Sequence, residues 1–587
     1  MSTASAATRR GGDWLTAGIT GGIFTPERLS DEHRLVGLTA AEFVVNEVEP
    51  ALEKLDAKDW VAARNLVLRC GELGLIGVDT PERFGGVGLD KAAAVVVGEA
   101  IGAVPSFAMT FGAQSGLAIV PILCFGSAEQ QQRYLPKIVS GDWLGAYCLS
   151  ESGAGSDALG VRTRATRAAD GSWRLTGEKM WITNGAFADV FIVFAKVDGD
   201  AFTAFIVERG FAGVSAGKEE HKMGLHGSST TPVLLADAHV PAANVLGEIG
   251  RGHKVAFNVL NYGRFKIGAM CTGAARTTIA EAAAYALSRR QFGEPLASFG
   301  AIRHKLAEMT TRLYAVESML YRTAGLIDAA AEIGGHEPRV VAAALEEFAL
   351  ESSLLKVAGS EMIHFVVDEN VQIHGGNGFV RDYAAERRYR DTRVYRIFEG
   401  TNEINRLLVP TLLIKRARKG GPPVLDAAAR ALRAGDPAPP AAGSGDAPDV
   451  AHQAAATLKQ LALWSLGLAA DRYGDSLGNE QEVLMLVADL VIDAYAADSA
   501  ALRAAQATAA QHPLAEAHAD AAAVVASAAL DRAVAGARTV GIAAGTTPAD
   551  VESAIARLAR LSPVDTVAAR RRLAAVVADR RRYPFQS

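Results

Sequence analysis

A chain of 587 residues is long enough for more than one domain, and its 49% hydrophobic content can fill several buried cores. It carries 60 Lys and Arg residues against 65 Asp and Glu residues, a balance that gives no electrostatic reason to expect nucleic-acid binding. Its 4 cysteines are far apart, without zinc-site spacing or a disulfide framework, which favours a reducing compartment.

Residues 1–29 are expected to form an N-terminal tail. The first 12 residues lack the apolar segment of a secretory signal, and their Arg and Ser content only weakly resembles a transit peptide. From residue 30 to 144, apolar residues recur at helical spacing, as in Ala41, Val44, Val48 and Leu52. We therefore predict an N-terminal α-helical domain over 30–144.

The hydrophobic period changes between residues 145 and 250. Runs typical of buried strands occupy 189–197, 201–208 and 231–237, and Gly171 and Gly199 stand at turn positions. Residues 145–250 are predicted to form an antiparallel β domain.

Helical spacing returns over 251–419. Residues 420–449 are rich in Pro, Gly and Ala, a composition that predicts a linker. Residues 450–587 are Ala-rich and are predicted to form a C-terminal extension of about four or five helices, one of which begins at Thr547 with Pro548 and Asp550 in its first turn.

The segment Arg396–Glu403 places a carboxylate, Glu399, directly before a Gly-Thr-Asn turn. Gly400 lets the backbone pass close to a ligand, and a carboxylate beside such a turn is a candidate general base. On this segment alone, a surface Glu at a helix start is the stronger interpretation, because acids and capping residues favour that position.

Four other segments, widely spaced along the chain, favour the interpretation of Glu399 as a general base. They are Tyr147–Asp157 (YCLSESGAGSD), Lys179–Gly185 (KMWITNG), Arg289–Gly293 (RRQFG) and Gln372–Phe379 (QIHGGNGF). Together with Arg396–Glu403 they resemble the acyl-CoA dehydrogenase family, over residues 30–415. The segments Gly18–Pro26 and Asn261–Phe265 and the long C-terminal extension are similar to the very-long-chain branch and its bacterial relatives.

The resemblance implies an α+β fold with an N-terminal helical domain, a central antiparallel β domain, a C-terminal four-helix bundle that carries the base, and the appended helical extension. It also implies FAD as cofactor. Residues that match the family's cofactor contacts are Leu149, Ser150, Ser156, Trp181, Ile182, Thr183, Arg289, Gln291, Phe292, Gln372, Gly376, Thr401 and Glu403. In the family, the position of Thr183 bonds flavin N5, and those of Gln372 and Gly376 reach the flavin of a neighbouring subunit. Each residue taken alone also fits an ordinary structural role.

The implied reaction is α,β-dehydrogenation of a fatty acyl-CoA thioester to the trans-2-enoyl-CoA, as in fatty acid β-oxidation. Glu399 would take the α proton, and a hydride would pass to flavin N5. Some relatives carry the base on the helix near residue 260, but residues 258–280 contain no carboxylate, which leaves Glu399. Burial beside an apolar substrate should raise the pKa of Glu399. Positions that match substrate contacts are Ser156, Asn261, Arg264 and Gly400.

Gly112 and Ala113 lie where relatives close the bottom of the acyl pocket. Their small side chains predict a deep slot and therefore long acyl chains.

The resemblance further implies a homodimer that acts in the cytoplasm and passes electrons to an electron-transfer flavoprotein. An acyl-CoA oxidase, which uses oxygen, and a non-enzymatic assembly or scaffold protein on the same fold stay open as alternative functions, although a scaffold has no need of Glu399.

The clusters Arg570–Arg572 and Arg580–Arg582 fit either a peripheral contact with anionic lipid or a solvated basic face. The histidines lack metal-ligand spacing, so no metal site is predicted.

Overall fold

The computed structural model describes residues 10–16, 22–333, 337–433, 447–559 and 563–586. The weak resemblance to a transit peptide at residues 1–9 and much of the predicted linker, at 434–446, lie outside these ranges. The linker prediction is wrong for Val424–Arg433, which form a helix packed against the extension. The described chain has the expected architecture of a helical domain, a β domain, a helical bundle and a helical extension.

The N-terminal domain is built from helices with polar caps. Ser30 and Ser127 each accept a hydrogen bond from the backbone N–H three residues on, which fixes the starts of α1 and α7. The helices are α1 (Asp31–Phe43), α2 (Leu52–Asp56), α3 (Trp60–Glu72), α4 (Lys91–Gly102), α5 (Pro105–Gly112), α6 (Ile119–Phe125) and α7 (Ala128–Val139).

The stretch Pro105–Phe125, which runs through α5 and α6, is the one described helical stretch long and apolar enough to cross a membrane. Within it, 83% of the most apolar window is buried inside the protein, as expected for a core helix.

The β domain is an eight-stranded sheet in the order β6-β7-β3-β2-β4-β5-β8, with β1 also beside β4. Its strands are β1 (Gly145–Cys148), β2 (Arg164–Arg167), β3 (Trp173–Thr183), β4 (Val190–Val197), β5 (Ala201–Glu208), β6 (Val214–Ala216), β7 (Thr230–Val240) and β8 (Val245–Leu246). The predicted runs are β4, β5 and β7. Since β1 and β2 pair with β4 in parallel and the other pairs are antiparallel, the sheet is mixed rather than wholly antiparallel as the sequence predicts, because strand patterns alone do not specify direction.

The bundle is formed by long helices that bury most of their apolar surface against each other. Helix α8 packs against α4, α9 and α11, and α11 packs against α13. The elements are α8 (Gly252–Ser288), β9 (Arg290–Gln291), β10 (Glu294–Pro295), α9 (Gly300–Ile333), α10 (Pro338–Glu347), α11 (Ala349–His374), α12 (Ala384–Thr392) and α13 (Asn402–Arg418).

The extension is helical and packs on the bundle, with α16 against α9 and α13, and α19 against α9. The predicted cap at Thr547 is confirmed, because its side chain accepts a hydrogen bond from the N–H of Asp550. The helices are α14 (Val424–Arg433), α15 (Ala447–Tyr473), α16 (Gln481–Ala509), α17 (Ala515–Ala543), α18 (Pro548–Leu558) and α19 (Thr566–Arg580). One hydrophobic core runs from the N-terminal helices through the bundle into this extension.

Candidate functional site

Glu399 lies on a tight loop between α12 and α13. Its φ of 55° and the φ of 79° at Gly400 are left-handed, a conformation that costs free energy at a glutamate. The carboxyl oxygen Oε2 is shielded from solvent and has no hydrogen-bond partner among the described residues. Gly263 on α8 makes room for it, because a Cβ there would stand 2.8 Å from that oxygen.

The loop is held through its carbonyl oxygens. The Nδ2 atom of Asn405 lies 3.3 Å from the carbonyl of Glu399, 2.8 Å from that of Gly400 and 3.1 Å from that of Thr401. Arg264 donates from Nε to the Glu399 carbonyl over 3.1 Å, and Lys356 donates from Nζ to the Gly400 carbonyl over 2.7 Å. These contacts stabilise a backbone shape that the loop would not hold alone.

Burial raises the pKa of Glu399 to about 7, although the positive charges of Arg264 and Lys356 oppose the shift. Burial lowers the pKa of Arg264 to about 10 and that of Lys356 to about 7. A carboxylate with a pKa near neutrality and a free oxygen has the properties required of a general base. The predicted rise in the pKa of Glu399 agrees with the structure.

Glu399 opens onto a cavity of roughly 1830 Å³ between the β domain, α8 and α13. The cavity brings together many of the predicted site residues from four separate segments of the sequence. Those that line it are Leu149, Ser150, Ser156, Trp181, Ile182, Thr183, Asn261, Arg264, Glu399 and Gly400.

The cavity wall from the β domain is shaped by an irregularity in β3. The pairing of β3 with β7 shifts register between Lys179 and Ile182, and Trp181 has a φ of 57°. Such a bulge redirects a side chain, and Trp181 is 56% exposed although it stands in a strand. An exposed aromatic side chain in the same cavity wall as Thr183 fits a planar flavin ring.

A buried ion pair, Lys179–Glu151, holds the segment Tyr147–Asp157 against this wall of the cavity. Lys179 Nζ lies 2.6 Å from Glu151 Oε1 and also donates to the carbonyl of Leu149 over 3.2 Å. The N–H of Met180 donates to the carbonyl of Ser150. These bonds join Tyr147–Asp157 to Lys179–Gly185, the two motifs that the sequence analysis singled out.

The remaining predicted site residues do not line the cavity. Arg289, Gln291, Phe292, Gln372, Gly376 and Glu403 are exposed, and Thr401 caps α13 with its side chain. The loop after α8 and the end of α11 lie at the same end of the bundle, where Tyr285 stacks on His374 with ring centroids 4.0 Å apart. Phe292 is 93% exposed and Phe379 is 85% exposed, which is unusual for Phe in a single chain.

Sequence reasoning missed Lys356, Asn405 and Gly263. Asn405 could have been suspected, since it stands one turn into the helix that follows the base. Lys356 lies far away in the sequence, and no local pattern marks it. Among the described residues, no group of three or more His, Cys, Asp and Glu side chains is arranged to hold a metal ion.

Family models match the chain along most of its length. The models for the N-terminal, middle and C-terminal domains of acyl-CoA dehydrogenases match residues 30–142, 146–238 and 250–412. A further model, also described as a C-terminal domain of acyl-CoA dehydrogenase, matches residues 457–570 within the extension.

Individual relatives agree with these matches. A probable acyl-CoA dehydrogenase of Bacillus subtilis is 45% identical over 523 residues, which cover 87% of each chain. The human mitochondrial very long-chain specific acyl-CoA dehydrogenase is 40% identical over 370 residues, 61% of this chain and 53% of that protein. A crystal structure of an acyl-CoA dehydrogenase from Bacillus anthracis complexed with FAD superposes with a TM-score of 0.95 at 42% identity, over 98% of this chain and 100% of that one.

Proposed function

This chain belongs to the acyl-CoA dehydrogenase family and is an FAD-dependent oxidoreductase, and on that premise we propose that it dehydrogenates long-chain fatty acyl-CoA thioesters with Glu399 as the base. The observation that supports the base most directly is the buried, unpartnered carboxylate oxygen of Glu399 at the cavity wall. A scaffold protein would gain nothing from such a group, because an unpaired buried carboxylate costs folding free energy.

In this proposal Glu399 takes the α proton of the acyl group. The hydrogen bonds to the backbone carbonyl of Glu399 hold its carboxylate in place, and Gly263 leaves the carboxylate the space to approach the substrate. Bound FAD supplies the acceptor for the hydride that leaves the β carbon. Leu149, Ser150 and Thr183 would contact the flavin, and Trp181 would cover it.

The acyl chain would lie between α8 and the helical stretch formed by α5 and residues 113–118. This part of the cavity is lined by small residues on one side and by apolar side chains on the other, namely Gly112, Ala113, Gly116, Ile267 and Met270. Such a slot suits a long unbranched chain, in which each buried methylene contributes about 0.8 kcal/mol.

The CoA moiety would enter through the rim of the cavity. Cationic residues stand there, among them Arg251, Lys254, Arg339, Lys415 and Lys419, and phosphates favour such surroundings.

We propose an electron-transfer flavoprotein as the electron acceptor, a homodimer as the assembly, the cytoplasm as the site of action and fatty acid β-oxidation as the process. The two relatives compared by sequence are named dehydrogenases rather than oxidases, which favours a protein acceptor over oxygen. The exposed Phe292 and Phe379 support a subunit interface at that end of the bundle.

Contact with a membrane stays a prediction. Arg570 is paired with Glu308 and Arg572 with Asp520, so part of the basic clusters is used within the chain.

Anaerobic mixing of the FAD-loaded protein with a series of saturated acyl-CoA thioesters tests the proposal. We expect the flavin absorbance to bleach, fastest with long chains. No bleaching with any chain length would contradict the dehydrogenase proposal, and rapid oxygen consumption after bleaching would favour the oxidase. A rate that peaks with butyryl-CoA would contradict the long-chain assignment alone.

A further inference from the structure

The loop that carries Glu399 is connected to the C-terminal extension by an unbroken series of hydrogen bonds. The series begins at Lys356 on α11, whose Nζ donates to the carbonyl of Gly400 and to Oδ1 of Asn402, both over 2.7 Å. Lys356 and Asn402 are fully enclosed, with 0% and 1% exposure. Neither side chain can move without losing a partner that water would not replace.

Asn402 links Lys356 to Glu361, and its side-chain amide does so in one orientation. Its Nδ2 donates to Oε1 of Glu361 over 3.0 Å, while its Oδ1 accepts from Lys356. The charged carboxylate of Glu361 can only accept hydrogen bonds, so the Nδ2 of Asn402 must face it and Oδ1 must face Lys356. This requirement fixes the orientation of the side chain that begins α13.

Arg406 then joins Glu361 to the extension. Its Nη1 and Nη2 bond to the two carboxyl oxygens of Glu361 over 2.7 and 2.9 Å, and its Nε bonds to Oδ1 of Asp489 on α16 over 2.7 Å. A guanidinium that is hydrogen-bonded both through Nη1 and Nη2 and through Nε has little freedom to rotate. Although burial favours the neutral form of Glu361, the bonds from Arg406 keep its pKa below the ordinary value, so the carboxylate stays charged.

We propose that the C-terminal extension supports catalysis through this series, which we call the support chain (Lys356, Asn402, Glu361, Arg406 and Asp489). Asp489 would act as a positioning residue. It holds the guanidinium of Arg406 in place, and the hydrogen bonds of the support chain in turn hold the strained loop at Glu399 in one conformation. The inference rests on the proposed role of Glu399 as the base. It gives the extension a function in the same subunit whose active site it supports.

The chain offers a matched control on the same helix. Asp493 stands one turn beyond Asp489 on α16 and pairs with Arg532 of α17, over 2.6 Å, entirely within the extension. Asp493→Asn removes an aspartate–arginine pair from the same helix without breaking the support chain, and its carboxylate is the more buried of the two, since the Asp493 side chain is 13% exposed and that of Asp489 46%. Asp489→Glu keeps the carboxylate and serves as the conservative variant.

The test is the limiting rate of flavin reduction by palmitoyl-CoA, measured anaerobically by stopped flow on full-length, FAD-loaded protein. We expect Asp489→Asn to lower this rate about three- to tenfold, with the Kd for palmitoyl-CoA and the melting temperature close to those of Asp493→Asn. Asp489→Glu should recover most of the rate. Equal rates for Asp489→Asn and Asp493→Asn would overturn the inference.

A double-variant comparison separates transmission along the support chain from a general loss of stability. If Asp489 acts through Lys356, adding Asp489→Asn to Lys356→Met should change the reduction rate by less than about twofold. Fully multiplicative effects would show that Asp489 acts by another route and would also overturn the inference. Failure of the wild-type protein to be reduced would refute the proposed function instead.

Discussion

Glu399 occupies a backbone conformation that glutamate avoids, and the Oε2 atom of its carboxylate is shielded from water without a partner among the described residues. Replacement by Gln keeps the shape and removes the proton acceptor. We expect Glu399→Gln to bind FAD and acyl-CoA normally and to lose turnover by roughly three orders of magnitude or more. The exposed Glu53 on α2, which does not line the cavity, provides the control, since Glu53→Gln should leave proton abstraction unchanged. Near-normal turnover of Glu399→Gln in a dye-reduction assay would place the base elsewhere.

The pH dependence of the reaction should report the surroundings of Glu399. Because only the carboxylate form accepts a proton and its pKa is raised to about 7, kcat/KM should rise as the pH increases through that region. The charge of Lys356 lowers the pKa of Glu399, so Lys356→Met should move this rise to higher pH, whereas Lys356→Arg should move it much less. Profiles of kcat/KM against pH that coincide for wild type and Lys356→Met would contradict this assignment.

At the scale of the elements, α5 and α8 would form the proposed acyl slot, and Gly112 would set its depth. A Cβ at Gly112 would lie 2.8 Å from Cε of Met270, the flexible end of that side chain. We therefore expect Gly112→Phe to fill the slot, lowering kcat/KM for palmitoyl-CoA by at least about tenfold while sparing hexanoyl-CoA. Met270→Ala enlarges the same space and should shift the preference in the opposite direction. An unchanged chain-length profile in both variants would place the acyl chain elsewhere.

The sequence predicts strands well where a continuous apolar run is buried on both faces, as in β4 and β5, and the family motifs predict the residues that meet at the cavity. It does not predict the parallel pairing of β1 and β2 with β4, because alternation carries no strand direction. Nor does it identify Lys356, whose role depends on α11 packing beside α13. The sequence also does not predict that Arg289 is exposed, because this depends on where α8 ends.

At the scale of the whole molecule, Arg503 on α16 ties three parts of the chain together. It is fully buried and bonds to Glu317 of α9 over 2.6 Å and to Glu27, before α1, over 2.6 Å. Its guanidinium also lies 4.5 Å from the ring centroid of Tyr314. Arg503 thus neutralises two carboxylates where the extension, the bundle and the N-terminal segment meet.

Arg503→Met should destabilise the protein by about 3 to 5 kcal/mol, because it leaves the largely buried Glu27 carboxylate without its cation, while Glu317 is left with its ion pair to Arg276. We expect a clearly lower midpoint of urea unfolding, followed by tryptophan fluorescence, and earlier release of FAD. Arg538→Met is the control, since Arg538 pairs with Glu552 in an exposed position within the extension. That variant should unfold like the wild type, because water screens exposed pairs. If Arg503→Met unfolds at the same urea concentration as Arg538→Met, the extension is not joined to the body through this residue, and the attachment must rest on its other contacts, which include the pairs Arg406–Asp489 and Arg570–Glu308 and the packing of α16 and α19.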